Sequence, residues 1–338
     1  MSSRFMDILR LYRIHTGAAS ASVPLIAGII LGAQPVSLLL IGIGAVAHHA
    51  WGFSLNEIID LDVDSSSGVH TNKPLVSGRI SKNSAHILSL LALMISFIMF
   101  TGAALLEGSS VLFPLSLLLA ATISGTIYDL WGKRFPLSDI FVSGWMVFMV
   151  LAAGSTVEGS ISMDTAVWAA AALGGLHILF NNSVEGGLKD AEGDRRSGAR
   201  TLAVILGVRW KGDRASVTAP FILWGLFLRS LFVICAMVFT YLIAMSHAWG
   251  AWVVVTVGVW GSILFAHSML FLRAGYKTSR KELIRTFSIH EVLSLGLSLL
   301  VVAPAAGVLP AVLVMVLPLV WFIVMNHLMY ETSMVPKV

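Results

Sequence analysis

Apolar positions along this chain gather into long runs separated by short polar stretches. Ten such runs can be read, at 17–33, 36–58, 84–105, 109–128, 139–156, 164–186, 230–246, 249–272, 288–304 and 308–328. Most are long enough to cross a hydrocarbon core of ~30 Å as helices. The pattern predicts an all-α fold: a polytopic transmembrane bundle of nine or ten helices. The count turns on VVAPAAGVLP, where the ninth and tenth runs meet; one span plus a broken or re-entrant piece is the alternative there. The longest polar loop has about forty residues, so no soluble domain fits and residues 1–338 are expected to form a single integral membrane domain.

Charge placement orients the spans. With the N-terminus in the cytoplasm, the loops at 59–83, 129–138, 187–229 and 273–287 hold nearly all the Lys and Arg. Arg4, Arg10 and Arg13 precede the first span, and Lys337 falls on the same side if there are ten. The opposite loops, AQPVS and SHAWG among them, carry none, as the positive-inside rule requires. Arg229 interrupts a run that is apolar from Pro220 onward. The expectation is an interfacial helix over 216–228 and a seventh span starting just after Arg229. The basic stretch before the first span has no small-residue cleavage site, so it reads as the flank of a retained span.

At 57% hydrophobic and 12% charged, the chain should scatter its carboxylates singly. Two stretches do not comply: NEIIDLDVD (Asn56 to Asp64) and GLKDAEGD (Gly187 to Asp194). Each follows an apolar run, and each places an Asp four residues after an Asp. On a helix that spacing puts Asn56, Asp60 and Asp64 on one face, with Asp62 pointing elsewhere. Gly186, Asp190 and Asp194 repeat the spacing, and Asn182 extends the stripe one turn inward. Like charges beside a membrane cost free energy unless a cation binds there. Oxygen-only clusters without Cys or His favour a hard ion, Mg²⁺ above all, held by one or two carboxylates plus substrate phosphates.

Lys73, Arg79, Lys133, Arg134, Lys189, Arg195, Arg196 and Arg200 surround these stretches in sequence and suit the non-bridging oxygens of a diphosphate. A diphosphate at the membrane face, above an apolar cavity, implies an isoprenyl tail in that cavity. Net charge is +4, but its cations are interleaved with Asp and Glu and form no basic arm, so nucleic acid is not expected as a partner. The single Cys, Cys235, permits no intrachain disulfide.

These residues resemble the UbiA superfamily of intramembrane prenyltransferases. The family's first motif, Asn-Asp/Glu-x2-Asp-x3-Asp, matches Asn56-Glu57-Ile58-Ile59-Asp60 through Asp64, and Asn72-Lys73-Pro74-Leu75 with Gly78 follows with Lys in place of Arg. The second motif matches Asp190-Ala191-Glu192-Gly193-Asp194 and Gly198-Ala199-Arg200-Thr201-Leu202. A third, Tyr-x3/4-Lys-Arg, matches Tyr128 through Lys133-Arg134.

The resemblance implies helices around a central cavity, in two related halves. Asp60, Asp64, Asp190, Asp194 and Asn56 would hold two or more Mg²⁺ ions with the donor's diphosphate. Tyr128 and Lys133 would sit near the diphosphate or the reacting carbon. Lys73, Arg79, Arg134, Lys189, Arg195, Arg200 and, at the entry to the first span, Arg13 would contact phosphate oxygens. Its implied partners are a prenyl diphosphate donor, a hydrophobic acceptor and the bilayer. The sequence departs from the pattern at Gly186, which stands where the first motif has Asn56, and at FPLSD after Arg134.

The implied function is Mg²⁺-dependent transfer of a polyprenyl group to a lipid-soluble acceptor, by ionisation to an allyl cation. Capture of that cation by the substrate's own double bonds, giving a terpene cyclase, is one alternative; a transporter is another, disfavoured because its carboxylates would lie at the midplane. His49 shares the face of Asn56 and is read either as an acceptor contact or as an interhelical hydrogen bond. His177 and Asn181 lie off the Asp190 stripe and read as packing residues.

Overall fold

The computed structural model describes residues 3–67, 72–212, 214–247, 249–274 and 279–330. The chain begins with α1 (Ser3–Leu11), α2 (Ile14–Ile30), α3 (Pro35–Ile59), α4 (Leu61–Ser67), α5 (Lys82–Glu107), α6 (Leu112–Trp131) and α7 (Asp139–Glu158). It continues with α8 (Thr165–Phe180), a π-helical turn (Asn181–Gly186), α9 (Gly187–Arg196) and α10 (Leu202–Ile205). A small antiparallel hairpin follows, β1 (Arg209–Lys211) and β2 (Arg214–Ser216), with Trp210 opposite Ala215. The chain then runs through α11 (Ala219–Ser246), α12 (Trp252–Ala274), α13 (Arg280–Ala306) and α14 (Val308–Tyr330).

Among the described residues nine helices are long and apolar enough to cross a membrane, α8 to α9 counting as one. α2, with 17 residues, is a shorter apolar helix; at 1.5 Å per residue it reaches about 26 Å. The predicted ten runs are therefore nine long helices and one short one. VVAPAAGVLP holds a true break: Gly307 takes φ 84°, a left-handed conformation that glycine adopts without a Cβ clash, and α14 starts afresh. Large apolar side chains face outward, as on α5, where Ile87, Leu90, Met94 and Ile98 are all more than half exposed. Lipid, not water, is the solvent that tolerates such a surface, and the chain is an integral membrane protein.

Two compact units divide the chain. The first comprises Met1–Asp129, Phe148–Met163 and Val312–Val338. In it α3 packs along α5 and against α2. Close approach depends on Gly44, where a Cβ would stand 2.7 Å from the Phe100 ring. The second comprises Leu130–Val147 and Asp164–Ala311. There α11 packs on α8, α12 and α13 around Phe180, Val184, Leu188, Phe221, Leu228 and Phe271. α13 opens with a capping box: Glu282 N–H donates to Ser279 Oγ, and Ser279 N–H donates to Glu282 Oε2 at 2.9 Å, holding that carboxyl below its ordinary range.

Arg229 corrects the sequence reading. No interfacial helix precedes a seventh span; α11 runs unbroken from Ala219 to Ser246 with Arg229 inside it, 1% exposed. Its Nη1 donates to Ser294 Oγ at 2.9 Å, and its guanidinium lies 3.8 Å from the centre of the Phe180 ring. Glu185 and Glu291 are close enough to feel its charge. Partners brought by other helices let an arginine stay inside the span.

Candidate functional site

In the first unit, α3 ends at Ile59 and α4 begins at Leu61, yet the backbone ladder passes through the junction. Asp60 N–H donates to the Asn56 carbonyl at 2.9 Å and Asp64 N–H to the Asp60 carbonyl at 2.8 Å. Asn56, Asp60 and Asp64 thus keep the predicted four-residue spacing. Lys73 reaches back to Asp64, Nζ to Oδ2 at 2.7 Å, both buried. Asn56 Nδ2 donates to Asp129 Oδ1 at 3.2 Å, which brings the end of α6, and with it Tyr128, to the end of α3.

Arg13 joins this group through an uncommon backbone. It links α1 to α2 at φ 44°, ψ 42°, the left-handed region, and alone among the described non-glycine residues has positive φ. Its Nε lies 3.8 Å from Glu57 Oε1 and its guanidinium 4.8 Å from the centre of the Phe53 ring. Its carbonyl accepts from Thr16 Oγ1 at 3.0 Å and from His49 Nε2 at 3.3 Å. With that ring nitrogen donating, Nδ1 accepts from Ser20 Oγ at 2.8 Å. His49 is therefore an interhelical tie that fixes the Arg13 bend, the second of the two sequence readings. A non-glycine residue held in this region costs of order 1–3 kcal/mol and is kept only where surroundings enforce it.

In the second unit the other carboxylate pair lies on α9. Asp190 is half exposed and 3.5 Å from Lys189 Nζ, while Asp194 Oδ2 accepts from Thr201 Oγ1 at 3.0 Å. Arg200 N–H donates to the Lys133 carbonyl at 2.7 Å, tying the loop of the third motif to the loop behind Asp194. Arg134 and Arg200 are exposed. The hairpin braces α9 from behind: Trp210 Nε1 donates to the Leu188 carbonyl and Arg195 Nη2 to the Val208 carbonyl.

Two expectations need adjustment. The straight stripe Asn182–Gly186–Asp190 assumed α geometry, but the π turn at Asn181–Gly186 lies within it and rotates the preceding helix face relative to α9. Arg79 and Arg195 already carry structural bonds. Arg79 Nε donates to Asp7 Oδ1 at 2.9 Å and its Nη2 to the Asn72 carbonyl at 2.6 Å, and Arg195 grips Val208. Three acidic residues were passed over: Asp129, bonded to Asn56; Glu57, facing Arg13; and Asp139 at the start of α7, within electrostatic reach of Asp194. Asp129 adjoins Tyr128, Glu57 fills the Asp/Glu position of the first motif, and Asp139 ends the departing FPLSD segment; those positions were the available signal.

The donor chemistry fits a hard cation. Both groups offer carboxylate oxygens, the first adds the Asn56 amide, and buried Glu57 Oε2 has no hydrogen-bond partner among the described residues. Among those residues no three His, Cys, Asp or Glu side chains close around one point. A bound Mg²⁺ would complete its shell with water and phosphate oxygens, as that ion usually does.

A membrane-embedded helical protein with paired carboxylates at two helix ends, each flanked by cations, defines the class. The family model of the UbiA prenyltransferase family matches residues 21–289, and the chain belongs to that family. It is a membrane prenyltransferase. It is similar to a digeranylgeranylglyceryl phosphate synthase of Sulfurisphaera tokodaii, 25% identical over 59% of this chain and 69% of that one. It is also similar to a 2-acylphloroglucinol 4-prenyltransferase of Humulus lupulus, 30% identical over 46% of this chain and 37% of that one. The fold is shared with a solved UbiA homolog from Archaeoglobus fulgidus bound to GPP and Mg²⁺. That structure has a TM-score of 0.59 and 19% identity, covering 88% of this chain and 99% of that one.

Proposed function

We propose that this protein transfers a polyprenyl group from an allylic prenyl diphosphate to a lipid-soluble acceptor within the membrane, in a Mg²⁺-dependent reaction. One observation carries the reading: each unit presents an oxygen-only carboxylate pair at a helix end beside cations. Lys73 and Arg13 accompany Asp60 and Asp64; Lys189, Lys133 and Arg200 accompany Asp190 and Asp194. Mg²⁺ and a prenyl diphosphate bound to the Archaeoglobus homolog support it.

Asp60, Asp64 and the amide oxygen of Asn56 in the first unit, and Asp190 and Asp194 in the second, would each hold Mg²⁺. Lys133, Arg134, Arg200 and Lys189 meet the phosphate oxygens, and Tyr128 lies near the reacting carbon. Mg²⁺ supplies Lewis-acid stabilisation of the departing diphosphate. Arg13, Lys73, Arg79 and Arg195 contribute positive potential and hold the surrounding loops. Apolar helix walls exclude water while the allylic carbon exchanges its bond to oxygen for one to the acceptor. The N-terminus and the carboxylate-rich loops lie on the cytoplasmic side of the cell membrane.

The test uses purified full-length protein in bilayer nanodiscs with labelled geranylgeranyl diphosphate. Diphosphate should appear with Mg²⁺ and stop with EDTA. Asp60→Ala or Asp190→Ala should each lower turnover by about 10²–10³-fold, the usual loss when one preorganised charge-stabilising group is removed. Near-full activity in either variant would contradict the metal assignment. A cyclic product formed without added acceptor would favour cyclisation.

A further inference from the structure

In the first unit, α1, the loop before α5 and the first turns of α5 border a cavity of about 450 Å³. That volume falls within the ~300–1,000 Å³ typical of small-molecule sites. Its lining is of two kinds. Arg4, Arg79, Ser81 and Ser84 supply charge and hydroxyls, while Ile87 and Leu88 supply apolar surface. Among the described residues no Asp or Glu lines it.

The polar groups keep donors in reserve. Arg4 is exposed and forms no hydrogen bond or ion pair with a described residue. Arg79 gives Nε to Asp7 and Nη2 to the Asn72 carbonyl, which leaves Nη1 without a described partner. Asp7, the carboxylate of α1, is buried and already shared by Arg10 and Arg79, at 3.2 and 2.9 Å. Three guanidiniums thus face one carboxylate, and the surplus charge is positive. Ser81 Oγ donates to Ser84 Oγ at 2.9 Å and accepts from Ser84 N–H at 3.2 Å, so the Ser84 hydroxyl proton is left for another acceptor. Spare guanidinium and hydroxyl donors without a competing carboxylate suit phosphate oxygens.

The apolar lining narrows the choice of ligand. α5 begins with the polar residues KNSAH and turns apolar at Ile87, which is 60% exposed, as Leu90 and Met94 are beyond it. The cavity therefore lies where a membrane-spanning helix passes from its polar start to its lipid-facing surface. Ser84 and Ile87 are three residues apart, about 4.5 Å of helix rise, the step from a lipid phosphate towards its acyl chains. A free anion gains nothing from Ile87 and Leu88, whereas a lipid covers them. We infer that this cavity binds the head group of an anionic bilayer phospholipid, with phosphate on Arg4, Arg79 and Ser84 and an acyl chain along Ile87. The inference stands independently of the transferase reading.

The test titrates full-length protein in nonionic micelles with dioleoylphosphatidylglycerol or dioleoylphosphatidylcholine, counting retained lipids by native mass spectrometry. Wild type should hold one phosphatidylglycerol at least about tenfold more tightly than phosphatidylcholine. Arg4→Gln should weaken it about fivefold, the factor one interfacial cation contributes. Lys82→Gln, which removes an exposed cation of the same helix start outside the lining, should change it less than twofold. Ser84→Phe, which fills the cavity, should abolish the preference; because Arg4 is exposed, Arg4→Gln keeps the test valid if Ser84→Phe misfolds. Equal losses in Arg4→Gln and Lys82→Gln would mean diffuse surface attraction and overturn the inference, as would no preference between the two lipids in wild type. Inorganic phosphate or geranylgeranyl diphosphate without Mg²⁺ should not displace the lipid at equal concentration. Displacement by the first would leave a simple anion site, and by the second a donor site; either overturns the lipid assignment.

Discussion

Two residues show how local physics concentrates at the carboxylate-rich end of α3. Arg13 is held in the left-handed region by Glu57, Phe53 and His49. Replacing it separates backbone from side chain: Arg13→Ala and Arg13→Gly both lose the guanidinium, but glycine alone adopts φ 44° freely. Denaturant unfolding in micelles should find Arg13→Gly the more stable of the two by about 1–2 kcal/mol. Lys73 and Asp64 form a buried pair, and removing one member strands the other. Lys73→Met should cost about 3–5 kcal/mol, and the double variant Asp64→Asn/Lys73→Met should recover most of it. If Lys73→Met alone unfolds at the wild-type midpoint, the pair carries no structural weight.

At the scale of elements, the apolar runs located every long helix, because lipid demands about twenty apolar residues from each span. Asn56, Asp60 and Asp64 were legible because four-residue spacing survives the α3–α4 junction. The π turn was not, since nothing in NNSVEG distinguishes five-residue from four-residue hydrogen bonding before the neighbouring helices impose it. Arg229 misled for a related reason: alone in an apolar run it looks like a boundary, and its partners Phe180, Glu185, Glu291 and Ser294 are distant in sequence. Arg229→Met should leave two carboxylates unbalanced and lower stability by about 3–5 kcal/mol. Thermal unfolding followed by tryptophan fluorescence reads this directly. The missed acids teach the same lesson, for Asp129 gains meaning only when α6 delivers it to Asn56.

For the whole molecule, charge asymmetry predicts which loops share a side. Ser197 lies in the loop after α9 and Ser162 between α7 and α8, both exposed. Cysteines placed there, in a chain with Cys235 replaced by alanine, should label from opposite faces. Ser197→Cys should react with an impermeant maleimide only in inverted vesicles, and Ser162→Cys only in right-side-out ones. Labelling of both from one side would refute the cytoplasmic placement of the second motif.

The last helix has a consequence for the order of assembly. Arg10 donates twice to the Met329 carbonyl, Trp321 Nε1 donates to the Ile14 carbonyl at 2.7 Å, and His15 packs on Phe322 and Tyr330. These contacts bracket Arg13 on both sides. Synthesis proceeds from the N-terminus, so these ties to the residues on either side of Arg13 form only once α14 has left the ribosome. A nascent chain stalled before that helix would carry both carboxylate pairs and still lack these ties beside Arg13.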